Sequence, residues 1–258
     1  MFSYRRLFAF FLRHTYPLRR DFDLLSDMVY WPLIDTLVWG VTGQWLGGTS
    51  KLLVAFMTSL VLWNVIWRSQ SEVARNLMDE IWNSNLMNLF STPLRVREWL
   101  AGVLLLSIMK MAISVGVVSL AVLLLYQVNV TNLGWWLVPF FIGATMTGWW
   151  IGLVSASIVL RYGQRMQTVI WTLPGILLPF SAIYFPLDQL PSFMQPVARL
   201  VPTMYIFEFM RGLLFSTGGN LDQLIFSFGL NTLYLVLAII YFVRSFEYSR
   251  NLGLGRFL

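Results

Sequence analysis

Few residues in this sequence can do chemistry, and they are widely spaced. Lys110 stands alone inside an apolar run from Leu100 to Tyr126. It lies roughly 16 Å into that run by helical rise, and a lone ammonium at such a depth of a membrane is a functional candidate by default. Asp35 follows Pro32 near the start of another apolar run, where a helix N-terminus favours a carboxylate. Both helices would start from the same side. Lys110 can therefore pair with Asp35, meet an anionic substrate, or snorkel to the interface. Trp149 and Trp150 fall inside a further apolar run; their faces could stack on sugars or apolar rings in a conduit, or simply pack. Glu208 and Arg211 are three apart and can pair on one helix face.

What is missing narrows the chemistry. The 258 residues contain no cysteine and one histidine, His14, so disulfides, thiolate metal sites and histidine clusters are excluded. No GxxxxGK[ST], GxSxG or HExxH pattern occurs. No catalytic residue, metal ligand or cofactor is expected of this chain.

The elements that must carry these residues are helices in a bilayer. Charged residues make up 12% of the chain and hydrophobic ones 57%, with a mean hydropathy of +0.67; a soluble domain has about 25% charged residues. The expected fold is all-α and polytopic, with about six spans, because backbone facing lipid must satisfy itself internally. The spans are expected near 30–46, 52–67, 100–126, 135–160, 168–184 and 224–243. Pro32 should sit in the first turn of the first helix, and Gly47-Gly48 should end it. The segment 1–26 has no small-residue cleavage site after its short apolar stretch. With Arg6, Arg13 and His14 on one face, it suits a helix lying in the membrane interface.

The net charge of +6 could suggest nucleic acid, but basic residues gather on the cytoplasmic loops of membrane proteins. With the N-terminus inside, fourteen arginines fall on inner segments, Arg19, Arg20 and Arg256 among them. Lys51, Arg199 and Arg211 alone fall outside. Both termini are expected in the cytoplasm, and no nucleic-acid partner is expected.

Two segments break the pattern. In "NLMNLFSTPLRVREWLAG" (85–102), Thr92 and Pro93 read as a cap and first-turn proline starting a new helix. Upstream, Met78, Ile81, Trp82, Leu86 and Leu89 recur at helical spacing, giving two short helices with a break at 90–93. In the outer segment 186–212, Pro186, Pro191 and Pro202 interrupt a stretch too apolar for a free loop and too broken to span, which suits helical pieces re-entering the outer membrane half.

"LMNLFSTPLRVREWLAG", with "FPLDQLPSF" running into "VPTMYIFEFMRG", resembles the membrane subunit of an ABC type-2 exporter, a family that moves drugs, lipids and lipid-linked glycans outward. The resemblance covers essentially the whole chain through motif order and spacing. It implies a single transmembrane domain over 1–258 in the cytoplasmic (inner) membrane. It further implies pairing with a second permease copy or paralogue amid membrane lipid, and docking on a separate ABC ATPase that holds ATP and Mg. Segment 68–99 would contain the coupling helix, with Leu86, Leu89, Thr92, Pro93 and Glu98 at the ATPase interface, and 186–212 the re-entrant helices. The competing readings are an ATP-independent carrier or channel, and a membrane-embedded lipid-modifying enzyme.

Overall fold

The computed structural model describes residues 3–16, 22–45, 50–215 and 218–253. It has ten α-helices among them and no strand. Leu46, Gly47, Gly48, Arg19, Arg20 and Arg256 lie outside the described residues. Four helical segments are long and apolar enough to cross a membrane: Lys51–Trp82, Val96–Tyr126, Val130–Tyr162 and Leu221–Asn251. The chain is an all-helical membrane protein.

The trunk is made by α3 (Ser50–Trp82), α6 (Leu137–Tyr162) and α10 (Leu221–Asn251), with α6 in the middle. Its sequence basis is a stripe of small residues on α6: Ala144, Gly148, Gly152 and Ala156, every fourth position and all buried. A Cβ on Gly148 would lie 2.6 Å from the Ile66 carbonyl oxygen of α3, and one on Gly152 would lie 2.7 Å from that of Gln70. The two backbones touch. Small residues at this spacing bring membrane helices close enough for dispersion and polar contacts to replace the missing hydrophobic drive. On the other side, Asn231 of α10 is fully buried and donates to the Gly143 carbonyl (3.2 Å), while its Oδ1 accepts from the Thr147 hydroxyl (2.8 Å) and Trp150 Nε1 (3.2 Å).

Around the trunk stand α2 (Phe22–Trp45), which rests on α5 (Val96–Tyr126), and α1 (Tyr4–Thr15), which crosses the start of α5. Tyr126 occupies the notch left by Gly40 and donates to the Leu37 carbonyl at 3.1 Å. Pro32 is not in the first turn: α2 begins ten residues earlier and carries it internally. The Thr36 hydroxyl donates to the Pro32 carbonyl at 2.7 Å.

Three further elements differ from the sequence expectation. The helix expected to stop at Trp67 continues to Trp82, 33 residues in all, or about 50 Å at 1.5 Å per residue. Its charges do not end it because they find partners on other helices. The segment 168–184 is a short helix, α7 (Val169–Leu177), followed by a 3-10 turn at 178–180 and positive φ at Ala182. Pro174 and Pro179 remove backbone donors and explain the break. Finally, Thr92 ends a helix rather than starting one. It is the C-cap of α4 (Leu86–Ser91) and its hydroxyl donates to the Leu89 carbonyl at 2.6 Å.

Candidate functional site

Two charged clamps organise the end of the bundle that holds α1, α4 and the start of α5. At the first, the Glu98 side chain, 1% exposed, accepts from the Arg95 backbone N–H at 3.0 Å and so caps α5. It also accepts from the Ser3 N–H at 2.8 Å and from Arg6 at 3.1 Å. Arg6 in turn donates to the Pro93 carbonyl. At the second, Glu80 near the end of α3 pairs with Arg13 at 2.7 Å and accepts from the Asn85 amide at 2.6 Å. Between the clamps, Phe10 of α1 is buried in the notch that Gly102 leaves on α5.

This base fixes the position of α4. Leu86 and Leu89, expected at an interface with a partner, instead point inward: they are 2% and 6% exposed and join Phe10, Trp99, Phe242 and Phe246 in the core. On a six-residue helix flanked by long apolar elements, the two leucines anchor it together with Phe90, whose ring lies 4.5 Å from that of Phe246. The outward surface is made by their neighbours. Trp82 and Met87 are about half exposed, and Asn88, Ser91, Thr92, Pro93, Arg95 and Arg97 are exposed beside them. A tryptophan, a methionine and two arginines on a fixed base have the composition of an interface centre with its rim.

Lys110 is 5% exposed and its ammonium lies 2.7 Å from Glu72 Oε1. Its partner is therefore on α3, not Asp35. The apolar run ends at Trp67, so nothing local in the sequence marks Glu72, five residues further along the same helix, as the partner. Trp149 Nε1 donates to the Ser107 hydroxyl (3.1 Å) and Trp150 Nε1 to Asn231, so both indoles hold helices together. Trp150 also lines an apolar groove of about 460 Å³ with Tyr234, Tyr241 and Leu177.

Asp35 faces a different space. It lines a cleft of about 160 Å³ between α2 and α3, with Trp31, Trp39, Trp63, Trp67 and Tyr184 around it. One signal could have revealed this cleft in the sequence. Asp27, Trp31, Asp35 and Trp39 recur at every fourth position and so share one face of α2.

At the far end of the bundle, Pro186 opens a short 3-10 turn, Pro191 follows it, and Pro202 is in the first turn of α9 (Pro202–Leu214), preceded by the one-turn α8 (Gln195–Ala198). Glu208 pairs with Arg211 at 2.8 Å, and the same oxygen accepts from the Leu187 N–H at 2.8 Å, which ties the proline-rich turn to α9. A bowl of about 820 Å³ opens there, lined by Arg199, Tyr205, Glu208, Arg211 and Gln223. Among the described residues no three His, Cys, Asp or Glu side chains cluster as metal ligands.

No protein-family model matches this chain, and no curated protein matches it either.

Proposed function

We propose that this chain is the membrane-spanning subunit of an ATP-driven exporter of the ABC type-2 kind, moving a hydrophobic or amphiphilic cargo outward. ATP and Mg would be bound and hydrolysed by a separate subunit. In this reading α2 and the broken segment 168–184 join the four apolar segments to make six crossings. Both termini are cytoplasmic, the membrane is the cytoplasmic one, and a second permease copy completes the conduit. The observation that carries the reading is the α4 platform. A short helix, α4, is pinned from beneath by Leu86 and Leu89 and tied to Glu80 through its N-cap residue Asn85. Together with the end of α3 and the start of α5 it presents Trp82, Met87, Arg95 and Arg97 outward. A rigid exposed knob at the end of long helices can receive a push from a docked motor. The resemblance of 85–102 and 186–212 to that family points the same way.

The test follows from the correction to the leucines. The tagged chain, purified from native membranes, should retain ATP hydrolysis that stays with it through gel filtration. Met87→Asp combined with Arg97→Glu changes only exposed side chains, so the protein should insert and melt as before while the associated hydrolysis disappears. Undiminished hydrolysis in that variant, or none with the unaltered chain, rejects the reading.

A further inference from the structure

The cleft between α2 and α3 has a chemistry of its own. Its walls are aromatic, and its charged groups other than Asp35 are paired. Asp27 is held by Arg68 at 2.8 Å and Arg75 at 2.5 Å. The Thr36 hydroxyl donates to the Pro32 carbonyl, and Asn64 Oδ1 accepts from Ser114 at 3.1 Å. Asp35 is the exception. It is exposed, and it makes no hydrogen bond or ion pair among the described residues. A carboxylate without a counter-ion on a membrane helix marks a path for water, ions or substrate.

Beside it stand Trp31, 59% exposed, and Trp39, 37% exposed, with Tyr184 stacked on Trp39 at 5.1 Å. Indole faces attract organic cations through the ring quadrupole, and cages of aromatic rings recognise quaternary ammonium groups. A sugar would ask for several free acceptors, and here the Asp27 carboxylate and Asn64 Oδ1 are already committed to Arg68, Arg75 and Ser114. Drug-sized pockets run to about 300–1,000 Å³; a volume of about 160 Å³ suits a head group with the rest of its molecule outside.

We propose that this cleft binds an organic ammonium head group, with Asp35 as its counter-ion and Trp31 and Trp39 as its aromatic walls. The proposal deepens the exporter reading and rests on it for calling the ligand a cargo; binding itself requires no ATPase.

The experiment uses the purified chain alone in phosphatidylglycerol nanodiscs, with equilibrium dialysis of radiolabelled choline and empty discs as background. Choline should be retained, and its uncharged carbon isostere dimethylbutanol should not compete. Asp35→Asn and, independently, Trp31→Leu should each weaken binding about tenfold or more, the scale of a desolvated cation–π contact, with unchanged gel-filtration profiles. Competition when phosphatidylcholine is added to the discs would identify a lipid head group as the source, and its absence a free cation; either supports the site. Equal competition by dimethylbutanol, unaltered binding in Asp35→Asn, or retention of maltotetraose in place of choline overturns it. Choline binding without associated ATP hydrolysis would remove the exporter reading and leave the site. Hydrolysis without choline binding would do the reverse.

Discussion

Ser3 and Glu98 are 95 residues apart in sequence, yet the Ser3 backbone N–H donates to Glu98 Oε1 at 2.8 Å. The same carboxylate caps α5 through the Arg95 N–H. One side chain thus starts a long helix and holds an amphipathic one across it. Glu98→Ala should free α1 without preventing insertion of the spans. Hydrogen exchange over residues 4–15 should become markedly faster and the melting temperature should fall; unchanged exchange over α1 would show that Phe10 and the Arg13–Glu80 pair hold it without Glu98.

The burial of Leu86 makes a prediction opposite in sense to an interface role. Leu86→Ala should cost about 2–5 kcal/mol, as buried leucine truncations do, and yield should drop with it. Met87→Ala, on the exposed side, should leave the melting temperature unchanged. Thermal melts of the two variants in the same detergent decide the matter.

The α3–α6 contact has its own test. A methyl at position 152 must push against the Gln70 carbonyl and Val73, and overpacking of this kind costs about 1–3 kcal/mol. Gly152→Ala should destabilise the protein by that order. Gly116→Ala, where nothing lies within 4 Å of the new Cβ, should not. A comparable loss in both variants would show that the close approach of the two helices is unimportant.

The buried pair Lys110–Glu72 should show strong non-additivity. Lys110→Met strands a carboxylate that is 5% exposed, and breaking a buried pair from one side costs about 3–5 kcal/mol. Lys110→Met with Glu72→Leu removes both charges and should recover most of that loss. A double variant no better than the single one would refute the pairing.

His14 makes the docking of α1 sensitive to acid. Burial lowers its pKa below the ordinary 6.5, and Arg13 and Lys110 push the same way. The Phe10 carbonyl and Glu80 oppose them. Since the unfolded state takes up the proton first, the contribution of a neutral His14 is present above pH ~6.5 and is lost as pH falls from there towards the lower native value. Melting temperature should therefore decline across that window, and His14→Gln should flatten the decline. An identical pH profile in the variant would exclude His14 as the cause.

The membrane class was legible because apolar runs of this length have no other use. The ends of α3 and α2 were not, for an instructive reason. Arg68 and Glu72 look like the limit of a span until Asp27 and Lys110, 41 and 38 residues away, neutralise them. Pairings at that distance leave no local mark. The Ala144–Gly148–Gly152–Ala156 stripe and the Asp27–Trp31–Asp35–Trp39 face did leave one, since both are simple four-residue repeats. Leu86 and Leu89 showed the right period for a buried face, but periodicity alone does not say whether the chain's own core or another protein covers it.

The Lys110–Glu72 bridge also bears on how the chain enters its membrane. A lysine near the centre of a lone apolar helix opposes insertion by roughly 3 kcal/mol. Glu72 is synthesised 38 residues before it, and the only elements between them are the end of α3, α4 and the start of α5. When α5 leaves the ribosome, its counter-charge is already waiting on the helix just delivered. The two helices therefore have reason to enter the lipid as a hairpin rather than one at a time, with α4 in the connection between them.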